Sequence, residues 1–205
     1  MSDTRIRLLQ EEDWDELVAL EQRAYAADGL SEGEEALRSR HRASPSTCFV
    51  AEYAGGFGGY LLALPYPLFH CPDLNPAEDG TVGENPKGSG NLHLHDLVIA
   101  ERVRGRGLAR AMQRHLEETG RSACYRTLSL VAVRGSRTMW TLLGYRARPE
   151  IGPPASYGPE AVYMAKPLER AVTDPAPGCP AHGADATGAP QATGCVGLPA
   201  GPARN

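Results

Sequence analysis

The chain has 205 residues, of which 41% are hydrophobic and 22% are charged, and its formal net charge at neutral pH is -4. This length suits one domain with a hydrophobic core, and the mixture of charges is ordinary for a globular protein. The acidic balance argues against a general nucleic-acid binder, which needs excess lysine and arginine to neutralise phosphates, and it favours a cationic substrate.

The sequence shows no segment typical of a membrane protein and no cysteine pattern typical of a secreted, disulfide-rich protein. No apolar run approaches the roughly 18 residues that span a bilayer, and the first residues lack the apolar stretch of a signal peptide. The 5 cysteines are odd in number and never form a C-x-x-C pair, which favours reduced thiols and no zinc site. We therefore expect a cytoplasmic protein without a membrane partner.

Hydrophobic periodicity predicts alternating strands and helices along most of the chain. Short alternating or branched runs indicate strands, and apolar residues at helical spacing indicate helices. Ser31 and Glu34 are spaced as a capping box that opens the second helix. In chain order we predict a strand over 5–9, helices over 12–27 and 31–42, a hairpin of strands 48–53 and 57–63 joined by a turn at 54–56, a strand over 92–99, a helix over 107–119, a strand over 127–133, a helix over 136–143 and a strand over 161–165. This alternation predicts an α/β sheet.

Two segments lack periodicity. Pro65 to Gly90 is rich in Pro, Gly, Asp and Asn, which predicts a long loop that we expect near the substrate. Residues 170–205 are almost wholly small residues and proline, with few large apolar groups to offset the entropy of ordering. The expected organisation is one domain over 1–169 followed by a disordered tail over 170–205.

A glycine-rich turn carries the strongest functional signal. Arg104-Gly105-Arg106-Gly107-Leu108-Ala109 follows a predicted strand and opens a predicted helix. Glycines let the backbone approach an anion, and the free N–H groups and dipole at a helix start favour negative charge. A P-loop is absent, and Arg110 stands where a dinucleotide fingerprint has its last glycine. The turn therefore predicts a pyrophosphate of a ligand other than ATP or NAD, with an ordinary glycine turn as the alternative.

Arg104, Gly107 and Ala109 form the pattern Arg-x-x-Gly-x-Ala, which resembles the acetyl-coenzyme A signature of the GNAT superfamily of N-acetyltransferases. The predicted order of elements over 5–168 is similar to the order in that family. The resemblance implies acetyl-coenzyme A (acetyl-CoA) as the cosubstrate and an α/β (α+β) fold whose mixed, mostly antiparallel sheet has about six or seven strands flanked by about four helices.

The resemblance also implies roles for particular residues. The strand before the signature would hold the pantetheine arm through its backbone, the turn would hold the pyrophosphate, and two residues near the 136–143 helix would contact the cofactor as well. The residues implied in cofactor binding are Leu97, Val98, Ile99, Arg104, Gly105, Arg106, Gly107, Leu108, Ala109, Arg110, Ser136 and Trp140.

A pair of histidines precedes the signature. His93 and His95 are two residues apart on a predicted strand, so we expect both to face one cavity. Imidazole titrates near neutral pH and accepts a proton directly or through water, as an ammonium substrate requires before its nitrogen attacks a thioester. A solvated strand face is the alternative, and without a third ligand at a recognisable spacing we expect no metal.

Within the family, the pattern of His93, His95, Leu97 and Gly107 resembles the arylalkylamine (serotonin) N-acetyltransferase branch, which implies that the two histidines remove the amine proton. One departure stands at Trp140, four residues before a Gly-Tyr pair, where the family commonly has a tyrosine that protonates the departing thiolate. An indole cannot act as this acid, so water or a nearby tyrosine is expected to do so.

The sequence therefore predicts an acetyl-CoA-dependent N-acetyltransferase for the primary amine of a small molecule, with an arylalkylamine as the favoured example. A polyamine, an antibiotic or a protein N-terminus is the alternative acceptor. A non-catalytic acyl-CoA-binding module is the alternative class. A monomer and a homodimer both remain open.

Overall fold

The computed structural model describes residues 4–74 and 90–169. Its regular elements in chain order are β1 (Thr4–Leu8), α1 (Trp14–Tyr25), α2 (Glu34–Ala43), β2 (Phe49–Tyr53), β3 (Gly56–Pro65), β4 (Asn91–Ile99), α3 (Leu108–Ser122), β5 (Thr127–Ala132), α4 (Arg137–Leu142), β6 (Arg146–Ala147) and β7 (Val162–Pro167). The predicted tail over 170–205 and residues 75–89 of the predicted loop lie outside the described residues.

The strands form one 7-stranded sheet in the order β1-β2-β3-β4-β5-β7-β6. Only β4 and β5 pair in parallel, and the other neighbours are antiparallel. The parallel pair follows from the connection, because α3 carries the chain back across the sheet between these two strands. The predicted mixed, mostly antiparallel sheet flanked by helices is confirmed.

The hairpin between β2 and β3 shows how local sequence sets the sheet. Ala54 and Gly55 form a two-residue turn in which both backbones have positive φ, at 51° and 78°. Two consecutive positive φ values match the right-handed twist of the flanking strands. The predicted hairpin turn is confirmed.

The core lies on both faces of the sheet. Consecutive residues of β3, from Tyr60 to Leu64, are all nearly inaccessible to solvent, and since neighbouring strand residues point to opposite faces, both faces are covered. α3 contributes Leu108, Met112 and Leu116 to the core, and α1 packs against β3 and β4. Among residues 4–74 and 90–169, no helix is long and apolar enough to cross a bilayer.

Two points of the sequence prediction need correction. α2 begins after Gly33 without a side-chain cap, and the Ser31 hydroxyl donates instead to Glu21 Oε2 at 2.7 Å, so the predicted capping box does not form. β6 was not predicted, because two residues are too short to show a period. Cys48 and Cys71 are free thiols, as the sequence predicted for the cysteines.

Strand β4 has two irregularities that shape the sheet around it. Its parallel pairing with β5 ends at Leu94 and Leu130, although both strands continue beyond that point. On its other edge, Leu62 of β3 pairs with Asp96 while the next residue, Ala63, pairs with Leu94. His95 is therefore an extra residue in β4, which is a β-bulge.

Candidate active site between β4 and β5

A cavity of about 430 Å³ opens where β4 and β5 separate. One wall is the second half of β4, from Leu94 to Ile99, and another comes from β5 and the start of α4. The end of α1 and the loop that follows it close a third side. Because a sheet normally pairs its strands along their whole length, the separation of β4 from β5 provides room for a ligand and leaves backbone groups free to bind it.

Some residues predicted to bind the cofactor line this cavity, and others do not. Those in the lining are Leu97, Val98, Ile99, Arg104, Ser136 and Trp140. The stretch from Gly105 to Arg110 lies outside the lining and forms the turn that begins α3. The Arg104 guanidinium links the two parts, since its Nε donates to the Ile99 carbonyl at 3.2 Å.

The backbone of β4 alternates between its two edges. The Ala100 N–H donates to Gly58 O on β3 at 2.9 Å. Since N–H and C=O directions alternate along a strand, the backbone groups of Leu97 and Ile99 point to the opposite edge, toward the separation. By the same alternation, the backbone groups of Val98, like those of Ala100, point toward β3 and away from the separation.

The turn before α3 has the properties of an anion site. Gly105 and Gly107 have φ values of 75° and 82°, a region that side-chain-bearing residues avoid. The N–H groups from Gly105 to Arg110 donate to no atom within the described residues, and α3 is 15 residues long. A helix start with free N–H groups attracts negative charge, so these residues fit a pyrophosphate.

Side chains contribute less to this turn than backbone does. Leu108 is 2% exposed and belongs to the core. The Arg106 guanidinium packs over the Tyr53 ring, 5.3 Å from its centroid, and donates to the Tyr53 hydroxyl at 3.1 Å. The groups of this turn that fit an anion are therefore its backbone N–H groups.

The two histidines occupy different environments. Their ring centroids are 6.4 Å apart, but His95 lines the cavity and His93 does not. The expectation that both face one cavity is wrong, because the bulge at His95 interrupts the alternation on which it relied.

His93 is buried beside the cavity wall. Its Nδ1 lies 2.9 Å from Ser129 Oγ, and its Nε2 has no hydrogen-bond partner within the described residues. Burial, together with the nearby His95 and Arg40, holds the pKa of His93 well below its ordinary value. The His93 ring is therefore neutral at physiological pH.

His95 contacts a glutamate that the sequence did not single out. The His95 Nε2 lies 2.5 Å from Glu32 Oε1, and their side chains are 0% and 5% exposed. Burial alone would raise the pKa of Glu32, but the charges and hydrogen bonds of His95 and Arg40 outweigh it and lower this pKa below its ordinary value. Glu32 is thus a buried carboxylate.

A second carboxylate, Asp96, lies in the same wall. The Tyr25 hydroxyl donates to Asp96 Oδ1 at 2.7 Å, and the Tyr60 hydroxyl donates to Oδ2. Burial raises the pKa of Asp96 to about 6, even though both tyrosine hydrogen bonds oppose this rise. With Glu21, which also lines the cavity, the wall contains three carboxylates.

Trp140 occupies the position at which the predicted family pattern has a tyrosine. It is 6% exposed, lines the cavity and meets the Tyr145 ring edge-on, with centroids 5.5 Å apart. The Tyr145 hydroxyl is turned away and accepts a hydrogen bond from Gln113 Nε2 at 2.9 Å. The tyrosines that do line the cavity are Tyr25 and Tyr157.

Among residues 4–74 and 90–169, no three His, Cys, Asp or Glu side chains come together as a set that could hold a metal ion.

A mixed sheet opens between its two parallel strands, next to a glycine turn with free N–H groups at a helix start, which is the architecture of an acetyltransferase. The model of the acetyltransferase (GNAT) family matches residues 14–145, which is more than half of the chain, and the chain belongs to this family. Membership implies acetylation that depends on acetyl-CoA. A comparison with curated protein sequences finds no match.

Solved structures similar to this fold include several acetyltransferases. Ard1 from Thermoplasma volcanium is 14% identical, with a TM-score of 0.62 over 82% of this chain and 99% of that chain. The ribosomal-protein-S18-alanine N-acetyltransferase from Escherichia coli is 18% identical, with a TM-score of 0.58 over 83% and 97%. A GNAT family acetyltransferase from Brucella melitensis in complex with acetyl-CoA is 16% identical, with a TM-score of 0.55 over 83% and 91%. At these identities the likeness establishes the fold.

Proposed function

We propose that the protein transfers the acetyl group of acetyl-CoA to the primary amine of a small molecule. The observation that carries this proposal is His95, a histidine held by a carboxylate in the wall of the cavity where β4 and β5 separate. A family member that acetylates an amine needs a group to accept the ammonium proton. Among the described residues, His95 is the histidine that lines this cavity.

Binding of the cosubstrate is assigned to backbone groups. The N–H and C=O groups of Leu97 and Ile99 would hold the pantetheine arm, and the N–H groups of Gly105 to Arg110 would hold the pyrophosphate. Acetyl-CoA supplies a thioester whose carbonyl carbon the free amine attacks. A backbone N–H at the open edge of β4 would polarise that carbonyl.

His95 would take the proton of the acceptor ammonium, either directly or through one water molecule, because His95 lines the cavity. The prediction that His93 shares this role remains a prediction. Without an acid at Trp140, the thiolate would leave unassisted or take a proton from water, because the Tyr25 hydroxyl already donates to Asp96. A thiol with a pKa of roughly 8.5 is a good enough leaving group for this.

The lining supports a cationic acceptor with a hydrophobic body. Its carboxylates, at Glu21, Glu32 and Asp96, outnumber the two arginines of the lining, Arg104 and Arg134, and this balance favours an ammonium group. Leu30 and Leu74 add apolar surface, so an arylalkylamine remains the favoured acceptor.

We assign this activity to a domain over 1–169 that acts in the cytoplasm as a monomer or a homodimer. The tail over 170–205 would not be required. A variant truncated after 169 should keep acetyl transfer and solubility close to those of the full chain, and loss of either would contradict this assignment.

The test is release of free thiol from acetyl-CoA with tryptamine, phenylethylamine, spermidine, an aminoglycoside and a short peptide. Release with an arylalkylamine supports the proposal in full. Release only with another amine keeps the reaction and discards the branch. Binding of coenzyme A without release across the panel favours the non-catalytic module instead.

Variants with His95→Gln and His93→Gln separate the two histidines. Replacing the base should lower kcat/KM strongly near neutral pH and less at high pH, where free amine is plentiful. We expect this pattern for His95→Gln. An unchanged pH–rate profile in the double variant would contradict a role for both.

A further inference from the structure

The loop between α1 and α2 places a carboxylate against the histidine of β4. Glu21, which is 1% exposed, accepts hydrogen bonds from Ser31 Oγ at 2.7 Å and from the Glu32 N–H at 2.8 Å. A buried carboxylate with two donors holds its partners in one geometry. The backbone that carries Glu32 is thus fixed from α1.

The Glu32 side chain is fixed from α2. Arg40, which is 2% exposed, places Nη2 3.1 Å from Glu32 Oε2 and 2.6 Å from the Asp73 carbonyl oxygen. Oε1 faces His95, so each Glu32 oxygen has a partner. A carboxylate engaged at both oxygens beside an arginine is poorly placed to act as the base itself.

The state of Glu32 determines which nitrogen of His95 carries a proton. An ionised carboxylate only accepts hydrogen bonds, so Nε2 of His95 must be the N–H donor in the 2.5 Å contact. In a neutral imidazole the other nitrogen then keeps the lone pair. That nitrogen, Nδ1, is buried and has no hydrogen-bond partner within the described residues.

We propose that Glu32, anchored by Arg40, is a positioning residue that holds His95 in the Nε2–H tautomer and so leaves Nδ1 as the proton acceptor. The proposal rests on the proposed function in one respect: the group that gives its proton to His95 is the ammonium of the amine substrate. The proton moves from the amine nitrogen to Nδ1, which leaves a neutral amine and converts His95 to an imidazolium, while the contact between Nε2–H and Glu32 stays in place.

The tautomer is measured directly in the unmutated protein by ¹⁵N NMR of the histidine rings, at a pH where they are neutral. His95→Gln assigns the His95 signals by their disappearance. We expect a protonated Nε2 and an unprotonated Nδ1. A protonated Nδ1 would overturn the proposal, and this readout requires neither an acceptor amine nor turnover.

Two substitutions at position 32 test the functional consequence. Glu32→Ala should lose the fixed tautomer and lower kcat by about 10- to 100-fold, with KM for acetyl-CoA unchanged, because only the base is displaced. Glu32→Gln keeps an oxygen acceptor and should keep the tautomer and more of the rate. Glu34→Gln is the matched control, since Glu34 is 54% exposed and pairs with Arg38 at the surface.

The outcomes separate this proposal from the proposed function. If no amine is acetylated but the Nε2–H tautomer is present and is lost in Glu32→Ala, the positioning role stands and the proposed function fails. If acetylation proceeds and Glu32→Ala retains both the tautomer and kcat, the positioning role fails and the proposed function stands.

Discussion

Replacing Gly107 with alanine tests the proposed role of the turn at the start of α3 in binding a pyrophosphate. Gly107 has a φ of 82°, and a left-handed backbone costs a residue with a Cβ about 1–2 kcal/mol. An added Cβ would meet no atom within 4 Å, so the cost to folding is conformational and includes no clash. We expect the free energy of unfolding to fall by about 1–2 kcal/mol.

The effect on ligand binding should be larger than the effect on folding. The open space next to Gly107 is where a pyrophosphate would approach the free N–H groups, and a methyl group would push it away. Each N–H hydrogen bond to a charged group contributes about 1.5–3 kcal/mol. Loss of one such bond raises the Kd for coenzyme A by about 10- to 100-fold.

Gly55→Ala is the matched control. Gly55 has a φ of 78° in the hairpin between β2 and β3, and a Cβ there also meets nothing within 4 Å. Both variants should lose similar stability in thermal unfolding, but only Gly107→Ala should bind coenzyme A more weakly in calorimetry. Equal Kd values for the two variants would refute the assignment of the pyrophosphate to this turn.

Three further changes test other parts of the molecule. Trp140→Tyr restores an acid next to Tyr145, so kcat should rise by up to about 10-fold; steady-state kinetics with no rise would show that thiolate departure does not limit turnover. Burial raises the pKa of Asp96 to about 6 from 3.8, so the folded protein holds this proton more tightly than the unfolded chain does. Protonated Asp96 therefore stabilises the fold at low pH. This contribution, about 3 kcal/mol, is lost as the pH rises from about 4 to about 6. Denaturant unfolding of Asp96→Asn should lack this loss, and a pH dependence like that of the wild type would contradict the buried carboxylate. Leu17→Ala, at a core position with 0% exposure, should cost about 2–5 kcal/mol, whereas Leu142→Ala, at 77% exposure, should change stability by less than about 0.5 kcal/mol in the same assay.

The sequence predicted the fold wherever local pattern decides the structure. The strand predicted over 92–99 forms as Asn91–Ile99, and the helix predicted over 107–119 forms as Leu108–Ser122. Both elements were predictable because the spacing of their hydrophobic residues can be read from a single stretch of chain. The Ser31 cap failed for the opposite reason, since its hydroxyl is bonded to Glu21, a residue that the fold brings close and that no local pattern indicates.

The candidate site divides in the same way. The turn at Gly105 and Gly107 was predictable, because the need of glycine for positive φ is a local property. Glu32 was not, because its contact with His95 joins residues 63 positions apart in the chain, and its ion pair with Arg40 of α2 has no sequence signal of its own. Neither residue has a periodic or motif signal that distinguishes it from the many exposed Glu and Arg residues of the chain.

The sequence contains a signal that would have shown that His93 and His95 do not face one cavity. In β4 the apolar residues Leu92 and Leu94 set a period of two, which requires an apolar residue at position 96, yet that residue is Asp96 and the apolar run resumes at Leu97. Such a change of phase within one strand is what an inserted residue produces. The bulge at His95 separates its environment from that of His93, and pairing with β5 stops at the residue before it. The same irregularity therefore accounts for both the single histidine in the cavity lining and the position at which the cavity begins.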